Sequence, residues 1–588
     1  MNKILQFVFI IGIVVTFVAT NPIETSEEWL AADKEWWQTA VFYQIYPRSF
    51  QDSDGDGNGD LNGIRERLPH LKDIGVTSAW LSPIYKSPQV DGGYDISDFK
   101  DIDPMFGTLE DFDKLVAEAK KLDIKIVLDF VPNHSSDKHE WFEKSIKRIE
   151  PYTSFYVWAD AKIVNGTRQP PNNWNSGMSH SNAWQWNSER GQYYYHQFTV
   201  QQPDLNYRSP KLVQEMKDIL VFWMKKGVSG FRVDAIGPLF EDEQFRDEPL
   251  TNDPNCPIET DDCYNYHIYT QNLPETFDMV VQWRDLLKEY AAKTDNVSRV
   301  IMVETYEGPP LVMKFYGNST HEGACFPFNF QFIVNLTSES NAQEYKALID
   351  KWMDNLPEGR IPNWVLGNHD QHRVGSRLGP ERTDALNMLT MTLPGVGVTY
   401  NGEEIGQEDG FVSWKDTQDP NAINAGEDRY LQFTRDPERT PLQWDTTKNA
   451  GFSTANKTWL PVSEKYKQTN VKAQVSENVD SHCNVYKTLI QLRKKTTLQK
   501  GDLTTEIVGK NVLIVIRELK DNPSYISVLN LGGKTETVDL SKIEIDSDVK
   551  NLKVEVASVG AKNKKGSKIL RGKLELSPNE AYVLSTDL

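Results

Sequence analysis

Cysteine is scarce in this chain: there are four in 588 residues, and none are spaced as Cys-x-x-Cys. That argues against a zinc site. Basic charge is short as well. Lysine and arginine number 64 against 84 acids, a net of −20, so the basic footprint of a nucleic-acid binder is absent. A neutral substrate fits this charge. Beyond residue 18 no segment is long and apolar enough to span a bilayer. The final residues, Val583 to Leu588, lack the hydrophobic tail of a GPI signal. There is no internal repeat and no low-complexity segment.

The N-terminus reads as a secretory signal over residues 1–20. Lys3 supplies the positive end, and Ile4 to Val18 is apolar apart from Gln6, Gly12 and Thr16. Val18-Ala19-Thr20 offers small residues for cleavage. A soluble, secreted, extracellular protein without a membrane anchor is expected. Glycosylation sequons at Asn165, Asn296, Asn318, Asn335 and Asn456 fit that route. Asn133-His134-Ser135 also matches but falls in the candidate site and is expected to stay bare. Cys256 and Cys263 lie close together in a polar segment, so a local disulfide is expected there, leaving Cys325 with Cys483. Four cysteines allow three pairings, and spacing does not choose among them.

Gly230-Phe231-Arg232-Val233-Asp234 reads as a short buried strand ending in a cation and a carboxylate two residues apart. Side chains alternate along a strand, so Arg232 and Asp234 point the same way. A neighbouring arginine favours the ionised carboxylate that a nucleophile needs. Strand-like Val300 to Val303 ends in Glu304, and strand-like Trp364 to Gly367 runs into Asn368-His369-Asp370. Three acids at three apolar strand ends predict one site at the carboxyl edge of a parallel sheet.

The rest of the chain supports that sheet. Strand signals at 41–45, 77–81 and 124–131 alternate with helical patterns at 64–74 and after the capping box Thr108-x-x-Asp111. Residues 135–206 break the alternation with a polar, aromatic-rich stretch, which reads as an inserted subdomain. Alternation resumes with a helix at 212–226 and continues to the strand 396–400. A run this long predicts an α/β fold, a closed (β/α)8 barrel. The sixth strand, near Phe326, is weakly signalled. From residue 503 alternating strands predict a small antiparallel β domain, a sandwich. The expected organisation is a barrel over 21–134 and 207–502, the insertion over 135–206, and the β domain over 503–588.

Seven fragments in order resemble the motif set of the α-amylase family of glycoside hydrolases. They are Gly75 to Pro83, Asp129-Phe-Val-Pro-Asn-His134, Gln202-Pro-Asp-Leu-Asn206, the three acid-bearing strand ends, and Gly397 to Glu404. Gln202 to Asn206 resembles the marker of the α-glucosidase and oligo-1,6-glucosidase subgroup, and within it the secreted insect maltases. The resemblance implies Asp234 as nucleophile, Glu304 as general acid and then base, and Asp370 as transition-state stabiliser. It implies that Arg232 orients and ionises Asp234 and that His134 and His369 bond the non-reducing glucose. Tyr94 would stack under that sugar. Asp91 would pair with Arg435, with Arg439 as a second candidate, and close the pocket beyond the terminal sugar. Such a site is exo-acting on small oligosaccharides and needs no catalytic cofactor. In the subgroup, valine directly after the nucleophile accompanies α-1,6 specificity. Ala235 stands there and points to α-1,4-linked, maltose-like substrates and to sucrose.

Alternating acids in Asp52 to Asp60 suit a hard cation such as Ca²⁺, although Gly63 stands where an EF-hand has its closing glutamate. The resemblance implies a structural cation on Asp52, Asp54, Asp56, the Asn58 carbonyl and Asp60. Two other readings remain. A transglycosylase or sucrose isomerase would use the same site. A non-catalytic receptor or transporter heavy chain would share the fold, but such chains need an anchor and commonly lack the acids.

Overall fold

The computed structural model describes residues 35–545 and 548–587. The signal expected at 1–20 lies outside them. Eight parallel strands form one sheet: β1 (Val41–Ile45), β2 (Ser78–Leu81), β3 (Lys125–Phe130), β4 (Gly230–Val233), β5 (Val300–Val303), β6 (Phe326–Pro327), β7 (Asn363–Val365) and β8 (Val396–Tyr400). Their order, β6-β5-β4-β3-β2-β1-β8-β7, is that of a barrel, with β1 paired to β8 and β2. A side chain bridges the remaining seam. The Asn329 amide donates to Asn363 Oδ1 at 2.9 Å, and Asn363 Nδ2 donates to the Pro327 carbonyl at 2.7 Å.

All four residues of β4 are buried, as a central parallel strand covered by helices requires. Phe231 faces outward and meets Phe130, which in turn packs on Trp283 of a surrounding helix. Arg232 faces the barrel axis opposite Asp129. At Gly230 a Cβ would lie 2.3 Å from the Val300 carbonyl oxygen, so only glycine lets β4 approach β5 there.

The helices include α1 (Leu61–Ile74), α2 (Leu109–Lys121), α3 (Pro210–Lys225), α4 (Pro274–Lys293), α5 (Ala342–Asn355), α6 (Thr383–Thr392) and α7 (His482–Arg493). The capping box Thr108–Asp111 forms at α2 as the sequence predicts. Helix α1 starts three residues earlier than its apolar pattern suggests, because the Asp60 side chain accepts from the Gly63 amide at 2.8 Å.

Between β3 and α3 the chain leaves the barrel. It forms a helix at 140–146 and a small antiparallel sheet packed around Trp174, Trp184, Tyr193 and Tyr195. It returns at 202–206, where His134 bridges Asp204 and Tyr156 bridges Leu205. From Asp502 a six-stranded antiparallel sheet faces a two-stranded one. The larger sheet docks on α6, where Arg517 donates to the Thr392 carbonyl at 2.7 Å and Ser527 to the Thr392 hydroxyl at 2.9 Å.

Cys256 and Cys263 are disulfide-bonded, as expected. The second expected pair does not form. Cys325 and Cys483 are both buried free thiols. Cys325 immediately precedes β6 and accepts from the Ile301 amide, whereas Cys483 sits in α7, which follows β8. Strand β7 lies between β6 and β8. The five asparagines of the sequons are exposed, and Asn133 is buried. Among the described residues no helix is long and apolar enough to cross a membrane.

Candidate active site

The carboxyl ends of the strands bring the three acids together. Arg232 lies at the centre and is fully buried. Its guanidinium contacts Asp234 Oδ1 at 2.6 Å, Glu304 Oε2 at 2.8 Å and Asp129 Oδ2 at 3.2 Å. One cation thus faces three carboxyl groups. Burial pushes the Asp234 carboxyl well above the ordinary range; Arg232 pulls it down, while Glu304 and Asp129 push it further up. Asp129 is likewise raised by burial, to about 6, against the pull of Arg232. Arg232 thus favours the ionised form of Asp234, against burial and the neighbouring acids.

Asp370 has the opposite environment. Its Oδ1 accepts from Arg439 at 2.7 Å and from Arg435 at 3.1 Å. Burial opposes its ionisation, but His369, Arg439 and Arg435 outweigh it and hold the carboxyl well below its usual range.

Arg435 joins three acids. It makes a two-pronged contact with Asp419 (2.6 and 3.0 Å) and reaches Asp91 Oδ1 at 2.7 Å. The pairing of Asp91 with Arg435 is therefore present. Arg439 does not share it; besides Asp370 it holds the His369 carbonyl at 2.7 Å.

The two histidines are fixed from both sides. The Gln44 amide nitrogen lies 2.8 Å from His369 Nδ1, which leaves Nε2 to carry the proton, 2.7 Å from the Tyr94 hydroxyl. Tyr94 in turn donates to Asp129 at 2.7 Å, and its ring stacks on His369 at 5.4 Å. His134 contacts Asn133 Oδ1 at 2.9 Å and Gln202 Nε2 at 3.1 Å. Burial lowers its pKa to about 4, so it is neutral at neutral pH. Gln202 also donates to Asp91 at 3.0 Å, so the returning 202–206 segment holds His134 and Asp91 together.

Residues 44–501 match the alpha-amylase family, through its catalytic domain. The chain belongs to this family. It is 52% identical to Maltase A1 of Drosophila melanogaster over 516 residues, 86% of this chain and 89% of the maltase. It is 49% identical to Maltase 1 of Drosophila virilis over 553 residues, 93% of this chain and 86% of that protein. A solved α-glucosyl transfer enzyme, XgtA, superposes with a TM-score of 0.81 at 30% identity, covering 94% of this chain and 99% of that one.

In this alpha-amylase family member the acids open onto a cavity of about 700 Å³ that Asp91, Tyr94, His134, Ala235 and Arg435 also line. Ala235 has φ 41°, and its amide donates to Glu304 Oε2 at 3.0 Å. Residue 235 therefore aims the acid through its backbone. Several wall residues carried no sequence signal, among them Phe198, Asp262, Tyr306 and Phe433. Phe198 and Tyr306 sit in loops, and Asp262 and Phe433 in helices of three and four residues, too short to show a period. Asp419, the buried partner of Arg435, was also missed; its place at the N-terminus of a short helix, before Pro420, is the one available cue.

The acidic loop divides. Asp52, Asp54 and Asp60 present carboxylate oxygens within 4.8 Å of one another. Asp56 stands outside that group, and the Asn58 side chain accepts from Arg48 at 2.8 Å, which leaves its carbonyl for a ligand.

Proposed function

We propose that this protein is an exo-acting, retaining α-glucosidase that hydrolyses terminal α-1,4-linked glucose from maltose-like sugars and also cleaves the glucose–fructose bond of sucrose. One observation carries the reading: Arg232 binds Asp234 and Glu304 at once, 2.6 and 2.8 Å from one carboxyl and the other. Carboxyls sharing one guanidinium on adjacent strands suit the separation of about 5–5.5 Å that retaining chemistry needs. Asp234 attacks the anomeric carbon and forms a covalent glycosyl–enzyme. Glu304 protonates the departing oxygen, then deprotonates the water that releases glucose. Asp370, kept anionic by Arg435 and Arg439, faces the positive charge that develops on the sugar ring.

The Asp91–Arg435 pair closes the far end of the cavity and admits one sugar beyond the scissile bond, which supports exo action. His134 and His369 would bond sugar hydroxyls by giving up their present contacts to Gln202 and Tyr94. None of these steps calls for a cofactor. The secreted location rests on the N-terminal signal, the disulfide and the exposed sequons. Asp52, Asp54 and Asp60 fit a hard cation by their all-oxygen donor set, with the Asn58 carbonyl as a further ligand; Asp56 is not gathered with them. Such an ion would brace the loop that precedes α1.

A second reading keeps the glycosyl–enzyme and replaces water with a sugar acceptor; the likeness to the α-glucosyl transfer enzyme favours it. A purely binding role is disfavoured because all three acids are present and clustered. The test is glucose release by the secreted protein from maltose, sucrose, isomaltose and starch, with Asp234→Asn as the blank. Fast release from maltose and sucrose is expected. From sucrose, whose leaving group is fructose, transfer or isomerised products without free glucose would favour the second reading, and no turnover of any substrate would overturn both.

A further inference from the structure

His372, Asp409 and Glu438 come from three separate segments and converge at the wall of the cavity. Their ligand atoms lie within 4.8 Å of one another. His372 Nδ1 is 2.8 Å from Asp409 Oδ2 and 3.5 Å from Glu438 Oε2. The backbone holds each segment in place. Asp409 Oδ1 accepts from the Arg373 amide at 2.8 Å, and Oδ2 faces the His372 ring nitrogen. The Glu438 carbonyl accepts from Tyr400, and the Gly410 amide donates to the Pro437 carbonyl at 2.9 Å, tying the second segment to the third.

Glu438 supplies the independent observation. Its side chain is 1% exposed, yet Oε2 has no hydrogen-bond partner among the described residues. A buried carboxylate oxygen left unpaired is costly, and this one points at the imidazole. A cation between the three side chains would satisfy it. Two carboxylates and one neutral imidazole also balance the charge of a divalent ion.

We propose that His372, Asp409 and Glu438 form a binding site for a borderline divalent cation of the Zn²⁺ class. The donor set decides the class. Imidazole nitrogen suits zinc and its neighbours, whereas calcium takes six to eight oxygens. Three protein ligands with a half-exposed histidine leave the fourth position to water. The site is distinct from the acidic loop at 52–60. Its ion would stand two residues along the chain from Asp370, in the same cavity wall. Added positive charge there opposes the positive charge that develops on a reacting sugar, so zinc is an inhibitor of the proposed hydrolysis.

The experiment is equilibrium dialysis of the full-length protein against Zn²⁺ after chelator treatment, with excess Ca²⁺ present to fill the acidic loop. Wild type is expected to hold one Zn²⁺ per chain more than His372→Ala or Asp409→Asn. Co²⁺ in place of Zn²⁺ is expected to give visible absorption bands in wild type that both variants lose. Equal zinc stoichiometry in wild type and His372→Ala, or no zinc on wild type, overturns the proposal. Asp409→Asn removes a backbone contact and has a risk of misfolding. His372→Ala changes a half-exposed side chain and decides the matter alone.

Discussion

Arg435 and Asp91 meet at 2.7 Å although 344 residues separate them. The contact joins the loop after β2 to the segment after β8, and both residues line the cavity, which the proposed exo action has them close at one end. Asp419 holds the other side of the same guanidinium, so Arg435 keeps its position without Asp91. Asp91→Ala should therefore leave the fold intact and act on substrate. Removing one partner of a buried charge pair costs about 2–5 kcal/mol. On that scale kcat/KM for maltose should fall by about a hundredfold or more, mostly through KM, and the ratio of maltotriose to maltose turnover should rise as the end of the pocket opens. An unchanged ratio would remove the clamp from the account of exo action.

Asp234→Asn and Glu304→Gln are expected to lower turnover by several orders of magnitude while circular dichroism and melting stay near wild type. The two variants should differ. Glu304→Gln leaves a nucleophile, so a substrate with a good leaving group should still label Asp234, and mass spectrometry of the intact protein should detect the added glucose. Asp234→Asn should show no adduct. Near-normal activity in either variant would sink the assignment.

Ala235→Val tests linkage preference, and the structure changes how the result must be read. Ala235 has φ 41°, and a β-branched residue is strained there. Its amide also donates to Glu304. Total activity and melting temperature should both drop, with a strain cost of about 1–3 kcal/mol. The informative quantity is the ratio of isomaltose to maltose turnover, which should rise. A fall in both rates with a constant ratio would count against residue 235 as the determinant of linkage.

The acids were legible because each one ends a short apolar strand and belongs to a recognisable motif. The barrel was legible for the same reason, since strand signals recur at helix-length intervals from Val41 to Tyr400. Strand β6 was weak because it is two residues long, Phe326 and Pro327, and its seam with β7 depends on the Asn363 side chain. Asp419, Phe198 and Phe433 were not legible. Their roles come from loops and short helices folded against one another, and no local period marks them. Nor did the sequence convey that Asp129 crowds the Arg232 guanidinium alongside Asp234 and Glu304. The cysteines erred by arithmetic. Pairing one couple leaves a second couple in the count but does not place it together in space.

Burial makes histidine a source of acid sensitivity, and His139 separates the effect from the cluster of acids around Arg232. Its ring is buried, and its Nδ1 accepts from the Trp141 amide at 3.0 Å, capping the helix at 140–146. Burial, with Lys144 adding to it, pushes its pKa down to about 3. The unfolded chain takes up a proton near the ordinary value of about 6.5, so between that pH and about 3 the unfolded state binds more protons than the folded one. Stability is fully present above about 6.5 and falls as the pH drops, by about 1.4 kcal/mol per unit from this group. His139→Gln keeps an acceptor for the Trp141 amide and removes the titration. Its melting temperature should sit below wild type at pH 7 and decline less steeply between pH 6 and 4.5. Parallel melting curves for the two proteins over that range would exclude His139 as a source of acid sensitivity.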